Sequence, residues 1–183
     1  MKYFKKLVGE HIYLSPVNPD DAEIYTKWLN DPEVTDWISQ TARIFSLSAE
    51  RKVLEKMADE GGYIFAIVRL SDDALLGNCG IHDIIHTNRR ATVGIFIGEA
   101  ENRSRGYGSE ALRLLLGYGF NTLNLHNIML TVQSDNARAI RCYEKIGFRE
   151  YGHRRESVFK NGGYVDSMYM DILENEYREM IPG

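Results

Sequence analysis

The apolar positions of this chain recur with two periods, and each period marks one kind of element. Helical spacing appears first at Ala22, Tyr25, Trp28 and Leu29, behind the first-turn signature Pro19-Asp20-Asp21. That helix is expected to run through Asn30 and stop at Asp31-Pro32, because a residue before proline is driven out of the α region. A second helix is expected from about Leu47 to Glu60, capped by Ser46 and ended by Gly61-Gly62. Val53, Leu54 and Met57 would form its apolar face. Strand-like runs cover His11 to Leu14, Tyr63 to Leu70, Leu75 to Ile85 and Arg90 to Gly98. The run from Tyr63 is almost continuously apolar, as in a central strand. Short turns at Ser71-Asp72-Asp73 and His86-Thr87-Asn88 imply antiparallel neighbours.

The helical period returns from about Gly108 to Asn121, with Ala111, Leu112, Leu115, Leu116 and Phe120 as the buried stripe. Ile128 to Val132 is a strand. Asn136 opens a helix to Ile146, carrying Ala139, Ile140 and Tyr143 along one side, with Gly147 as its C-cap. Arg149 to Phe159 and Tyr164 to Leu173 form a hairpin around Asn161-Gly162-Gly163, and the tail is polar. The order β-α-α-β-β-β-α-β-α-β-β predicts an α/β fold: one domain over 1–183, with a mixed, mainly antiparallel sheet flanked by helices. Between Val34 and Phe45 the chain is irregular yet holds Trp37, Ile38 and Phe45, which either pack under the core or line a cleft.

Composition and charge narrow the function. Of 183 residues 44% are hydrophobic and 26% charged, which is a globular balance. The formal net charge of -4 and the lack of a long basic block argue against nucleic acid. No apolar stretch of about 18 residues predicts a membrane span. Two isolated cysteines and five scattered histidines show no metal-ligand spacing, so no metal is expected. Two cysteines without a signal segment point to a cytoplasmic protein.

The candidate chemistry lies in the stretch from Gly94 to Ala111, a strand followed by a polar turn and a glycine-rich helix opening. Backbone N–H groups and a helix N-terminus converge there, making a seat for a phosphate-bearing ligand. The simplest reading is a tight connection made possible by Gly106 and Gly108. Residues 106–111 also match G-x-G-x-x-A, a dinucleotide fingerprint. That fingerprint needs its first glycine directly after the strand, within strand-helix-strand repeats. Here about seven polar residues separate Gly98 from Gly106, and the preceding strands read as antiparallel.

Arg103-Ser104-Arg105-Gly106-Tyr107-Gly108 fits Q/R-x-x-G-x-G/A, and Asn136 to Phe148 fits N-x-x-A-x-x-x-Y-x-K-x-G-F. With both motifs in this element order, the chain resembles the GNAT superfamily of acyl-CoA-dependent N-acetyltransferases from end to end. Asn30-Asp31-Pro32-Glu33-Val34 is similar to the branch that acetylates ribosomal protein N-termini. The stretches Gly117 to Phe120 and Asn161 to Tyr164 also look like spermidine N-acetyltransferases. The resemblance implies the GNAT fold with splayed central strands and acetyl-CoA as co-substrate. It implies the CoA pyrophosphate on backbone N–H groups of Arg103, Ser104, Arg105, Gly106, Tyr107, Gly108 and Ser109. The pantetheine arm would pair with Ile95, Phe96 and Ile97, and Asn136 would bond a pantetheine amide. Asn136 reads equally as a helix N-cap, and the two roles are compatible.

Direct acetyl transfer needs a neutral amine, a polarised thioester and a protonated leaving thiolate. Backbone N–H near Ile97 would polarise the carbonyl. Tyr143 matches the family tyrosine near the CoA sulfur, which makes it the candidate general acid; otherwise it is a core tyrosine. Family members often place a glutamate where this chain has Thr92. The base is then His82, Asp83, His86 or water. The acceptor is a primary amine, either a protein N-terminus or a small molecule, with a polyamine as the alternative. A non-catalytic CoA-binding module is the other alternative, favoured by Thr92. Loops Asn30–Phe45 and Arg155–Tyr164 would wall the acceptor site, and hairpins of this family often mediate homodimers.

Overall fold

The structure is a computed structural model and describes residues 2–180; residues 1 and 181–183 of the expected domain lie outside the described residues. The strands are β1 (Leu7–Val8), β2 (Ile12–Pro16), β3 (Ile64–Arg69), β4 (Leu75–Ile85), β5 (Arg90–Ile97), β6 (Asn127–Gln133), β7 (Arg149–Lys160) and β8 (Gly163–Leu173). The helices are α1 (Ala22–Leu29), α2 (Pro32–Thr35), α3 (Leu47–Asp59), α4 (Tyr107–Asn121), α5 (Ala137–Ile146) and α6 (Glu174–Met180). Hydrogen-bonded strands follow the order β1-β2-β3-β4-β5-β6-β8-β7. The parallel pair is β5 with β6, because helix α4 lies between them in the chain and carries it back. Backbone contacts divide the chain into two compact units. One comprises residues up to Gly80 with Ile95–Leu114; the other comprises Ile81–Gly94 with Leu115 onward.

In the first unit α1 and α3 cover an aromatic and aliphatic core. Tyr25 and Trp28 of α1 meet edge to face at 5.6 Å, and Phe96 of β5 meets them at 6.2 and 6.0 Å. Val17, Ala22, Val34 of α2 and Leu54 of α3 are buried with them. The predicted face of α3 is corrected at Val53, which is 42% exposed, while Glu50 is buried in its stead. Burial raises the Glu50 pKa, and Arg43 opposes the rise. A hydrophobicity pattern cannot show a carboxyl placed on the inner face. Asp31-Pro32 also does more than stop a helix. The Asp31 side chain accepts from Glu33 N, and Pro32 opens the short helix α2. Of the irregular segment, Ile38 packs on the core, whereas Trp37 and Ile44 are exposed.

In the second unit the buried face of the sheet carries Ile128, Leu130, Val132, Met170 and Ile172. A Cβ on Gly119 of α4 would lie 2.7 Å from Ile128, and one on Gly147 would meet Met180 of α6. These contacts put α4 and α6 on that face. The polar tail is in fact α6: Tyr177 is buried and its ring sits 4.8 Å from Phe120. The hairpin turn follows the sequence closely, with Asn161 and Gly162 both left-handed (φ 53 and 79). Among the described residues no helix is long and apolar enough to cross a membrane. Nor does any group of three His, Cys, Asp or Glu side chains there suit a metal ion.

Candidate active site

The glycine loop follows β5 through Gly98, a one-turn helix at Ala100–Asn102, and the segment from Arg103 to Gly106. Ser104 (φ 61) and Gly106 (φ 90) are both left-handed. Alternating handedness curls successive N–H groups towards one side, the geometry of an anion nest. Where the loop enters α4, Glu110 N donates to Gly106 O at 3.0 Å, so the Gly106 carbonyl opens the helix at its N-terminus. A Cβ on Gly106 would meet nothing within 4 Å, so its φ is what calls for glycine. At Gly108 a Cβ would make ordinary contacts with Ile95 and Ile97, at 3.8 and 3.9 Å.

The loop is braced from several directions, and spacing along the chain gave no sign of these braces. The Arg103 side chain turns inward and donates to Gly98 O at 2.6 Å and to Ile97 O at 3.3 Å. Only its backbone is left to face a ligand. Glu99 accepts from Lys27 Nζ at 2.6 Å and from Trp28 Nε1 at 2.9 Å, and these bonds hold its carboxyl below the usual range. Gly98 lies flat on Trp28, where a Cβ would run into the indole ring. Arg69 grips Asp72 through two bonds and also meets the Tyr107 phenol. Glu110 reaches back to His11 N at 2.9 Å, leaving the helix N-terminus clear of its own first-turn carboxylate. Arg105 is exposed, and Phe96 spends its side chain on the aromatic core, so its backbone alone is available.

The second unit holds the remaining predicted residues. Asn136 is buried and caps α5, its carbonyl oxygen accepting from Ala139 N at 3.2 Å. Its –NH2 has no partner among the described residues. Tyr143 is half-buried, 6.1 Å from the Phe148 ring, and its hydroxyl likewise has no partner among the described residues. Burial, aided by the field of Cys142 and opposed by Arg138, pushes the phenol pKa up to about 12. Thr92 pairs with Met129, and there the β5–β6 register ends, after Arg90 with Asn127 and Ala91 with Ile128. Both strands continue beyond it. Of the three base candidates, His82 lies over Gly94: a Cβ there would be 3.5 Å from His82 Nε2. Asp83 is left-handed (φ 50) and exposed, and His86 starts an exposed one-turn helix.

A nested glycine loop at a helix N-terminus is a seat for an anionic group, and β5 runs on past its parallel register with β6. The sequence profile of the acetyltransferase (GNAT) domain matches residues 11–149, and the chain belongs to that family of N-acetyltransferases. It is 27% identical over 177 residues to the "Putative ribosomal N-acetyltransferase YdaF" of Bacillus subtilis, covering 93% of this chain and 95% of that one. It is 28% identical to the spermidine N(1)-acetyltransferase of Escherichia coli K12, over 86% of this chain and 78% of that protein. The crystal structure of spermidine N-acetyltransferase from Vibrio cholerae in complex with CoA and spermine superposes with a TM-score of 0.84. Identity there is 26%, covering 93% of this chain and 99% of the other.

Proposed function

We propose that the chain moves the acetyl group of acetyl-CoA directly to a primary amine, on a protein N-terminus or a small molecule. The observation that carries this reading is the β5–β6 register, which ends at Thr92 while β5 runs on to Ile97. Strand ends beyond a register offer backbone donors and acceptors to an extended ligand, here the pantetheine arm along Ile95, Phe96 and Ile97. The nest from Arg103 to Ser109 suits a pyrophosphate, and the unused –NH2 of Asn136 suits a pantetheine carbonyl.

The chemistry then runs on this chain's own groups. The neutral amine attacks the thioester carbon, and N–H near Ile97 stabilises the oxyanion. His82 takes the amine proton, its imidazole lying beside Gly94 on the face that carries Thr92. As the C–S bond breaks, Tyr143 donates its hydrogen to sulfur, and solvent returns the proton. The net transfer is one proton from the amine to the CoA thiol. His82→Ala is expected to lower kcat by roughly 10²-fold with acetyl-CoA affinity retained, whereas Asp83→Asn and His86→Ala stay near wild type. A kcat for His82→Ala within twofold of wild type would assign the base to water. Calorimetric titration with acetyl-CoA tests the whole reading: a single saturable site is expected, and no binding heat would sink it. A polyamine acceptor is the second reading. Similarity to spermidine N-acetyltransferases favours it, although Asp83 is the one acid on β4.

A further inference from the structure

The sheet face opposite α4 and α6 carries a cluster that the transfer chemistry leaves unused. Met129 of β6 is in register with Asp171 of β8, and Tyr169 lies two residues along β8, so the three side chains share that face. β7 is bulged between Glu150 and Gly152, which takes Tyr151 out of the paired register. Its ring lies over the same face, 6.0 Å from the Tyr169 ring and tilted by 40°. Its hydroxyl donates to the Met129 sulfur at 3.6 Å. Tyr151 is 54% exposed, and Met129, Tyr169 and Asp171 are half-buried, so the group is reachable yet shaped.

The Asp171 carboxylate is partnered incompletely. One oxygen accepts from Asn127 Nδ2 at 2.7 Å, and no basic side chain pairs with it among the described residues. Arg90 is close enough for its charge to act on Tyr151, but it forms no ion pair with Asp171. Burial and the field of Asp171 raise the Tyr151 pKa, so the phenol stays neutral and presents a ring rather than a second negative charge.

A half-buried carboxylate that shares a sheet face with two phenol rings and a thioether suits an alkylammonium or guanidinium group. The carboxylate accepts its N–H groups, the ring faces attract its charge, and the sulfur and ring edges cover its methylenes. A neutral group gains only the last of these. We propose that Met129, Tyr151, Tyr169 and Asp171 bind the non-reacting cation of a dicationic acceptor. The cation is a second ammonium on a short diamine, or the basic side chain of a peptide whose N-terminus is acetylated. The inference rests on the amine acetylation proposed above, and it would make this face the place where acceptors are discriminated by charge.

The test compares acetylation of a monoamine, an α,ω-diamine and a lysine-containing dipeptide amide, in the wild type and in Asp171→Asn and Tyr151→Leu. At least one dicationic acceptor should exceed the monoamine in kcat/KM by roughly tenfold, and both variants should cut that ratio several-fold. Preference for the diamine identifies a small polyamine as the source of the charge, and preference for the dipeptide identifies a peptide. Calorimetric titration of the diamine itself, into wild type and Asp171→Asn, reads the site without turnover. Weaker binding to the variant is expected. The exposed Tyr151→Leu position keeps the test open if Asp171→Asn folds poorly. A ratio near one in the wild type, or a ratio the variants leave unchanged, overturns the site. Absence of acetylation with every amine overturns the transfer reading. Diamine binding that Asp171→Asn leaves unchanged overturns the cation site alone.

Discussion

Tyr143→Phe is expected to lower kcat by about 10²-fold, a loss of about 2.7 kcal/mol of transition-state stabilisation, while acetyl-CoA binds with little change. The substitution removes one hydroxyl and leaves the ring in its contact with Phe148. That hydroxyl has no partner among the described residues, so its loss strands no buried group. The effect should therefore appear in the chemical step, with the melting temperature nearly constant. The sign of the pH dependence follows from the raised phenol. With its pKa pushed up to about 12, Tyr143 keeps its proton across the working range. Activity should rise with pH as the acceptor amine loses its proton, and should show no alkaline decline up to about pH 10. A decline below pH 10 that vanishes in Tyr143→Phe would contradict this, as would an unchanged kcat.

Gly106→Val is expected to weaken acetyl-CoA binding by more than about 30-fold, because a β-branched residue is strained at positive φ and would turn the loop N–H groups away. A Cβ at 106 has open space around it, so the effect is conformational rather than steric. Gly106→Ala should fall between the wild type and the valine variant. Gly108→Ala should bind far better than either, since its Cβ meets Ile95 and Ile97 only at ordinary contact distance. Calorimetry on the three variants reads the ranking directly. Equal affinity for Gly106→Val and wild type would remove the loop from the phosphate seat.

Elements were legible in the sequence where a cap or turn residue coincided with a change of period. Asn136 and Gly147 bracket α5, and Asn161-Gly162 mark the hairpin, because each does local work that a short window records. Where the determinant is distant in the chain, the window fails. Glu50 faces inward against the polarity pattern, and α6 looks like a polar tail because Tyr177 alone anchors its buried side. The same limit applies at the site. The glycine loop and the tyrosine helix announce themselves by motif. The Glu99 bonds to Lys27 and Trp28 join positions more than 70 residues apart, and the inward turn of Arg103 depends on carbonyls that only the folded strand presents. Tyr151 joins Tyr169 and Asp171 through a bulge and a cross-strand register that no local spacing encodes.

The most direct measurement follows free CoA thiol and acetylated amine together, by thiol titration and mass spectrometry, on one reaction with acetyl-CoA and a primary amine. The expected result is amine-dependent thiol release matched one to one by N-acetylated product. Thiol release that is absent, or that proceeds without an acetylated amine, would contradict direct transfer at this site.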